Sequence, residues 1–254
     1  MLKTILNDLV KSFVKTDCKT VVCHSSDNGN LRISTTTDDK QMYIYIESVE
    51  SGWNTKEFAF RDWSAISSII TSFYDVDNPD KCIMTLDKDS EDYPNVLKVK
   101  NGRMKMTHYL QNYTFISRQD DLLNAYKGKK FHLKAPTVGY IDTFDIDTMR
   151  SVSKLSSLTG EKLFRIGMEG TGLYFYFGDE TKTIDNAKIC VCENYEHSYV
   201  DKGLKFSVDY LNIAFNSLRT HNDVKIKIDG GTIVVSGSND ISNKVVAVIG
   251  KKEV

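Results

Sequence analysis

At 254 residues the chain has room for one large domain or two of ordinary size. Apolar residues make up 41% of it and charged residues 26%, which excludes a disordered chain, and three prolines exclude a long Pro-rich linker. The formal charge of −1 excludes a uniformly basic surface, so any contact with nucleic acid must come from local placement of charge.

Residues 2–15 read as a helix, with Leu2, Ile5, Leu6, Leu9, Val10 and Phe13 on one face at helical spacing. Lys3, Asn7, Lys11 and Lys15 stand four apart on the opposite face. These polar interruptions leave no signal-peptide layout, and no apolar run approaches the roughly 18 residues of a membrane span. The expectation is a soluble, intracellular protein with no membrane partner. Strands follow at residues 20–24, 30–36 and 42–48. Asp27-Asn28-Gly29 marks a hairpin turn because Asn and Gly tolerate positive φ. A short strand at 57–60 leads into a helix at 61–74. Trp63, Ile66, Ile69, Ile70 and Phe73 lie on its inward face, and Asp62 is its cap. Further strands are expected at 81–86, 96–100 and 103–110, the last two joined by Asn101-Gly102.

Residues 117–139 break this pattern. A short helix at 118–127, a basic turn from Lys127 to Lys130 and an extended run from Ala135 to Gly139 read as a connector. The elements then restart. A helix at 146–158 turns Met149, Val152 and Leu155 inward, and Arg150 and Lys154 outward. Strands are expected at 163–168, 173–178, 186–193 and 205–208. A helix at 209–220 turns Asn212, Asn216 and Arg219 outward. Strands at 224–228, 232–236 and 244–249 finish the chain, with Gly230-Gly231 as a hairpin turn. Phe58 and Phe60 before Trp63 recur as Phe206 and Val208 before Leu211, a strand-then-helix unit used twice. The pattern is α+β and duplicated.

Nothing in the sequence supports catalysis. No Walker loop, GxSxG or HExxH is present, and the glycines between Gly167 and Gly172 have the wrong spacing for a nucleotide fingerprint. Acidic stretches at 75–80 and 87–92 lack the Gly and closing Glu of a calcium loop. The five cysteines, Cys18, Cys23, Cys82, Cys190 and Cys192, are odd in number and read as reduced structural thiols. The histidines are scattered without metal-ligand spacing. No catalytic residue, metal ligand or cofactor site is expected.

The C-terminal segment carries a resemblance. FSVDYLNIAFNSL, then VKIKIDGGTIVVSGSNDISNKVVAVIG, gives a helix, a hairpin and a final strand through Asn243-Lys244-Val245-Val246-Ala247. With the duplicated unit, this resembles the DNA sliding clamps, polymerase processivity factors, and among them the phage type. The resemblance implies two tandem copies of a DNA-clamp domain, each with two helices packed on antiparallel sheets. The copies would be residues 1–116 and 140–254, joined by the connector at 117–139. It implies a non-enzymatic homotrimeric ring around double-stranded DNA that tethers the replicative DNA polymerase and is opened by a clamp loader. For a phage-encoded chain the place would be the host cytoplasm.

In that family the helices line the hole. The DNA-facing residues it implies are Lys3, Asn7, Lys11, Lys15, Arg61, Arg150, Lys154, Asn212, Asn216 and Arg219, touching phosphate and reading no bases. It also implies a partner-peptide pocket, here at Leu133, Pro136 and Val138 of the connector and Val246, Val248 and Ile249 of the last strand. Subunits would join through edge strands, with 81–86 and 186–193 as candidates. The acidic stretch at 76–95 is longer than such a clamp needs, and the connector reads as partly helical. Two other readings stay open. One is a clamp-fold accessory protein acting as a monomer or dimer without ring closure. The other is an enzyme or phage structural protein on a duplicated α+β domain.

Overall fold

The computed structural model describes residues 1–13, 20–75, 77–112, 140–141, 146–178, 186–195, 203–229 and 231–252. It divides into two units, Met1–Phe131 with Ser238–Lys244, and His132–Gly237 with Val245–Val254. The division falls inside one strand near the C-terminus.

In the first unit, helix α1 (Leu2–Phe13) buries the side chains that its periodicity predicts. Ile5, Leu6 and Leu9 are 0–1% exposed. Each such side chain contributes about 1.5–3 kcal/mol of hydrophobic stabilisation. Helix α2 (Trp63–Phe73) packs beside α1 and buries Trp63, Ile66, Ile69, Ile70 and Phe73. Asp62 is its N-cap, its side chain accepting the Ala65 N–H at 3.2 Å. The helices cover an antiparallel sheet built from β1 (Val21–Ser25), β2 (Asn30–Thr36), β3 (Met42–Ser51) and β4 (Phe58–Phe60), in the order β4-β1-β2-β3. The turn between β1 and β2 uses Gly29 at φ +72°, the conformation for which a glycine stands there. Strand β3 runs to Ser51, past the predicted end at 48, because β2 bulges between Asn30 and Arg32 and pairs Asn30 with Ser51. A second, three-stranded sheet joins β5 (Cys82–Lys88), β6 (Pro94–Asn101) and β7 (Met104–Tyr109) in chain order. The short strand β8 (Gln111–Asn112) pairs with β4.

In the second unit, β9 (Tyr140–Ile141) is followed by helix α3 (Ile146–Thr159). Strands β10 (Leu163–Glu169), β11 (Gly172–Phe177) and β12 (Ala187–Cys192) then form an antiparallel sheet with β13 (Leu204–Ser207). Phe164, Phe175, Phe177 and Phe206 meet on its inner face, with Phe164 and Phe175 ring centroids 4.5 Å apart. The stretch from Gly167 to Gly172 is the end of the β10–β11 hairpin, as its spacing predicts. Two of its glycines have a packing reason. A Cβ on Gly172 would come within 2.7 Å of the Tyr174 ring, and one on Gly167 within 3.0 Å of the Tyr176 ring. Helix α4 (Val208–Ser217) follows β13 directly. Strands β14 (Asn222–Asp229), β15 (Thr232–Ser238) and β16 (Ser242–Ile249) come next, and β17 (Lys251–Lys252) pairs with β13.

The repeated strand-then-helix unit differs between its copies at the junction. Val208 does not end the strand, as its match to Phe60 suggests, but opens the helix. Ser207 closes β13 and caps α4 at once, its hydroxyl accepting the Tyr210 N–H at 3.3 Å. In the first copy, Arg61 and Asp62 stand between strand and helix, so Arg61 precedes α2 instead of opening it.

The acidic stretches fold on themselves. The Asp75 carboxylate accepts the Asp77 and Asn78 N–H groups at 3.1 Å, and Asp89 accepts those of Glu91 and Tyr93 at 2.9 Å. Among the described residues no group of three His, Cys, Asp or Glu could hold a metal ion.

Candidate nucleic-acid interface

The outward faces of α3 and α4 converge. Arg150, Ser153, Asn212, Asn216 and Arg219 line one cleft of about 660 Å³ between the two helices. Four of these are residues that the sequence marks as DNA-facing; Lys154, exposed on α3, lies outside the cleft lining. The helices place them by periodicity. Asn212 and Asn216 are one turn apart on α4, opposite the buried Leu211 and Ala214. Arg219 follows just past the helix end, where a cation is favoured by the unsatisfied carbonyls. Ser153 donates its hydroxyl to Asn212 Oδ1 at 3.1 Å, tying the helices together across the cleft. The floor is apolar, made by Met149, Phe215, Leu218 and Val224, with the buried His221 at its edge. A cleft lined by two arginines, two carboxamides and apolar side chains has the groups to hold an anion that also carries a flat apolar part.

On α1 the stripe divides. Lys11 is exposed and Asn7 half-buried. Lys3 is tied down, its ammonium donating to the Pro79 carbonyl at 2.7 Å and the Cys82 carbonyl at 3.2 Å, with the Asp80 carboxylate at 3.6 Å. Two carbonyls and one carboxylate, from the turn before β5 and from its first residue, therefore already engage it. Lys15 lies outside the described residues. Arg61 is exposed on the junction before α2.

Between Asn7 and Lys11 sits a residue that sequence reasoning passed over. Asp8 accepts the Lys244 ammonium at 3.0 Å and lies 3.4 Å from the Ser242 hydroxyl. Burial holds the Lys244 pKa below its ordinary 10.5, with the Asp8 carboxylate opposing that fall. No local signal announces this pair, because its members are 236 residues apart.

Of the residues assigned to a peptide pocket, Val246 and Val248 are fully buried in strand packing and Ile249 is half-buried. Leu133, Pro136 and Val138, with the rest of the connector, lie outside the described residues. The candidate subunit edges can be placed. Strand β5 is one edge of the three-stranded sheet, and β12 is one edge of the sheet of the second unit. The other edge of the three-stranded sheet is β7, which exposes more large apolar side chains: Met104, Met106 and Tyr109 are 50%, 37% and 76% exposed, against Ile83 of β5 at 52%.

No family model and no curated protein matches the chain. Solved structures do. The fold is similar to that of A. fulgidus PCNA, in a complex with the C-terminal region of FEN-1. The TM-score is 0.62 at 14% identity, over 99% of this chain and 97% of that one. It is similar to the H. pylori Beta clamp in complex with 5-chloroisatin, with a TM-score of 0.64 at 12% identity. That match covers 98% of this chain but only 64% of that one, so the chain spans less than two thirds of that clamp. It is similar as well to the PCNA2–PCNA3 complex of Sulfolobus tokodaii, at TM-score 0.60 and 10% identity, covering 99% and 97%. At such identities the likeness is one of fold, and that fold, two tandem α+β clamp domains over nearly the whole chain, is the fold of the DNA sliding clamps.

Proposed function

We propose that the chain is a sliding clamp, a non-catalytic processivity factor that closes as a homotrimer around duplex DNA and tethers a replicative polymerase. The clamp fold over 99% of the chain carries this reading. The exposed basic groups on α1 and α3 and just past α4 support a duplex-facing role, since sliding needs weak phosphate contacts without base readout. The exposed Met104, Met106 and Tyr109 support β7, in preference to β5, as the first-unit edge that meets β12 of a neighbouring subunit. A partner peptide would dock beside Ile249 and the connector, as Leu133, Pro136 and Val138 suggest. Opening the ring would fall to a separate clamp loader. Retention on DNA tests the proposal: the ring, once loaded, stays on end-blocked DNA and runs off the same DNA with free ends. Equal retention on both DNAs would contradict topological linkage.

A further inference from the structure

We propose that the α3–α4 cleft is a binding site for a single nucleotide unit, its base on the apolar floor and its phosphate between Arg150 and Arg219. The inference rests on the reading of this face as a nucleic-acid face, and goes beyond it. Contact with the outside of a duplex needs only exposed cations, because the bases are stacked away from the protein. It gives no use for a cleft of about 660 Å³ floored by Met149, Phe215, Leu218 and Val224. That volume is within the range of small-ligand sites, and the mix of apolar floor and few polar groups is what such sites use.

The chemistry fits a nucleotide better than a bare anion. Phe215 is half-buried and contributes to the lining, where an unstacked base finds an aromatic neighbour. Asn212 and Asn216 supply carboxamides, which pair with base edges as both donor and acceptor. Because Ser153 donates to Asn212 Oδ1, the two N–H donors of that carboxamide remain available. Arg219 is exposed, and among the described residues no carboxylate pairs with it, so its charge is open to phosphate. The nucleotide could come from an unpaired position in a DNA strand or from free mononucleotide. The recognition is the same for both.

The test titrates the full chain with dAMP, a labelled single strand of thymidines, a blunt duplex and inorganic phosphate, watching calorimetry and anisotropy. The wild type is expected to bind dAMP or the single strand. Arg219→Ala should weaken that binding about tenfold, the effect of losing one charged hydrogen bond. Asn216→Ala should weaken it about fivefold, the effect of losing a neutral one. Both residues are exposed, so both variants should melt with the wild type. A free-nucleotide source is indicated by dAMP binding as tightly as the strand, a strand source by the strand binding tighter. No binding of either probe, affinities unchanged in both variants, or phosphate binding as tightly as dAMP overturns the site. Those results leave trimer formation and retention on end-blocked DNA untouched, so the failure of this proposal is distinct from failure of the clamp reading.

Discussion

The ammonium of Lys244 lies 3.0 Å from the carboxylate of Asp8 and has no exposure to solvent. It ties α1 to residues 238–244, which also meet β3 where the Val49 N–H donates to the Ile241 carbonyl at 3.0 Å. Taking one charge away from a buried pair costs about 3 kcal/mol or more when the charge left behind is buried and unpaired, and less when the charge left behind still reaches water. Asp8→Asn is therefore expected to lower stability by about 3 kcal/mol. Lys244→Met, which leaves the partly exposed Asp8, is expected to lower it by much less. Urea unfolding, with hydrogen exchange of the α1 amides as local readout, separates the two. Equal losses would contradict the account.

The same pair predicts a pH dependence. Burial lowers the Lys244 pKa in the folded state, so between that lowered value and 10.5 the unfolded chain binds more protons. Its contribution thus opposes folding below the lowered pKa, and stability rises with pH through this window. Asp8 opposes the lowering, so Asp8→Asn should widen the window downward. The deficit of Asp8→Asn against wild type is expected to shrink as pH is raised from neutrality toward 10.5, measured by denaturation at each pH. A deficit that grows with pH would contradict it.

Two helix caps should be separable by acid. Asp62→Ala and Ser207→Ala each remove a side-chain acceptor at a helix start, at a cost of about 1 kcal/mol. The Ala65 N–H, then the Ser64 contacts, hold the Asp62 pKa below its ordinary 3.8. The contribution of Asp62 is present above 3.8 and lost as pH falls through the lowered pKa. The hydroxyl of Ser207 does not titrate. The effect of Asp62→Ala should vanish in acid while that of Ser207→Ala persists, as followed by thermal melting.

Duplex binding should show which cations face phosphate. Each lost phosphate contact lowers the slope of log K against log salt by about 0.9. Lys11→Ala, Arg150→Ala and Arg219→Ala are each expected to do so in anisotropy titrations. Lys3→Ala should change the slope less, since two carbonyls and Asp80 already engage its ammonium. A Lys3 effect as large as that of Arg219 would contradict this placement.

Much of this fold is legible in the sequence because its cause is local. The inward faces of α1 and α2 follow from spacing alone, and Ile5, Leu6, Ile66 and Ile70 are buried as spacing requires. The cap at Asp62 follows from residue chemistry. The start of α4 was less legible, since Ser207 and Asp209 are both good caps and strand pairing of Ser207 with Leu163 decides between them. The site divides in the same way. The polar faces of α3 and α4 could be read residue by residue, but their convergence on one cleft, with Phe215 in its floor, is a matter of helix pairing. Lys244 was out of reach. It shares the buried face of β16 with Ser242, Val246 and Val248, and its carboxylate partner there, Asp8, comes from the other end of the chain.

Light scattering on the chain as it elutes from a sizing column tests self-assembly, on which the clamp reading turns. The account predicts a mass of three chains, lost on replacing Met106 of β7 by lysine. A mass of one chain at every concentration, up to the highest attainable, would contradict it.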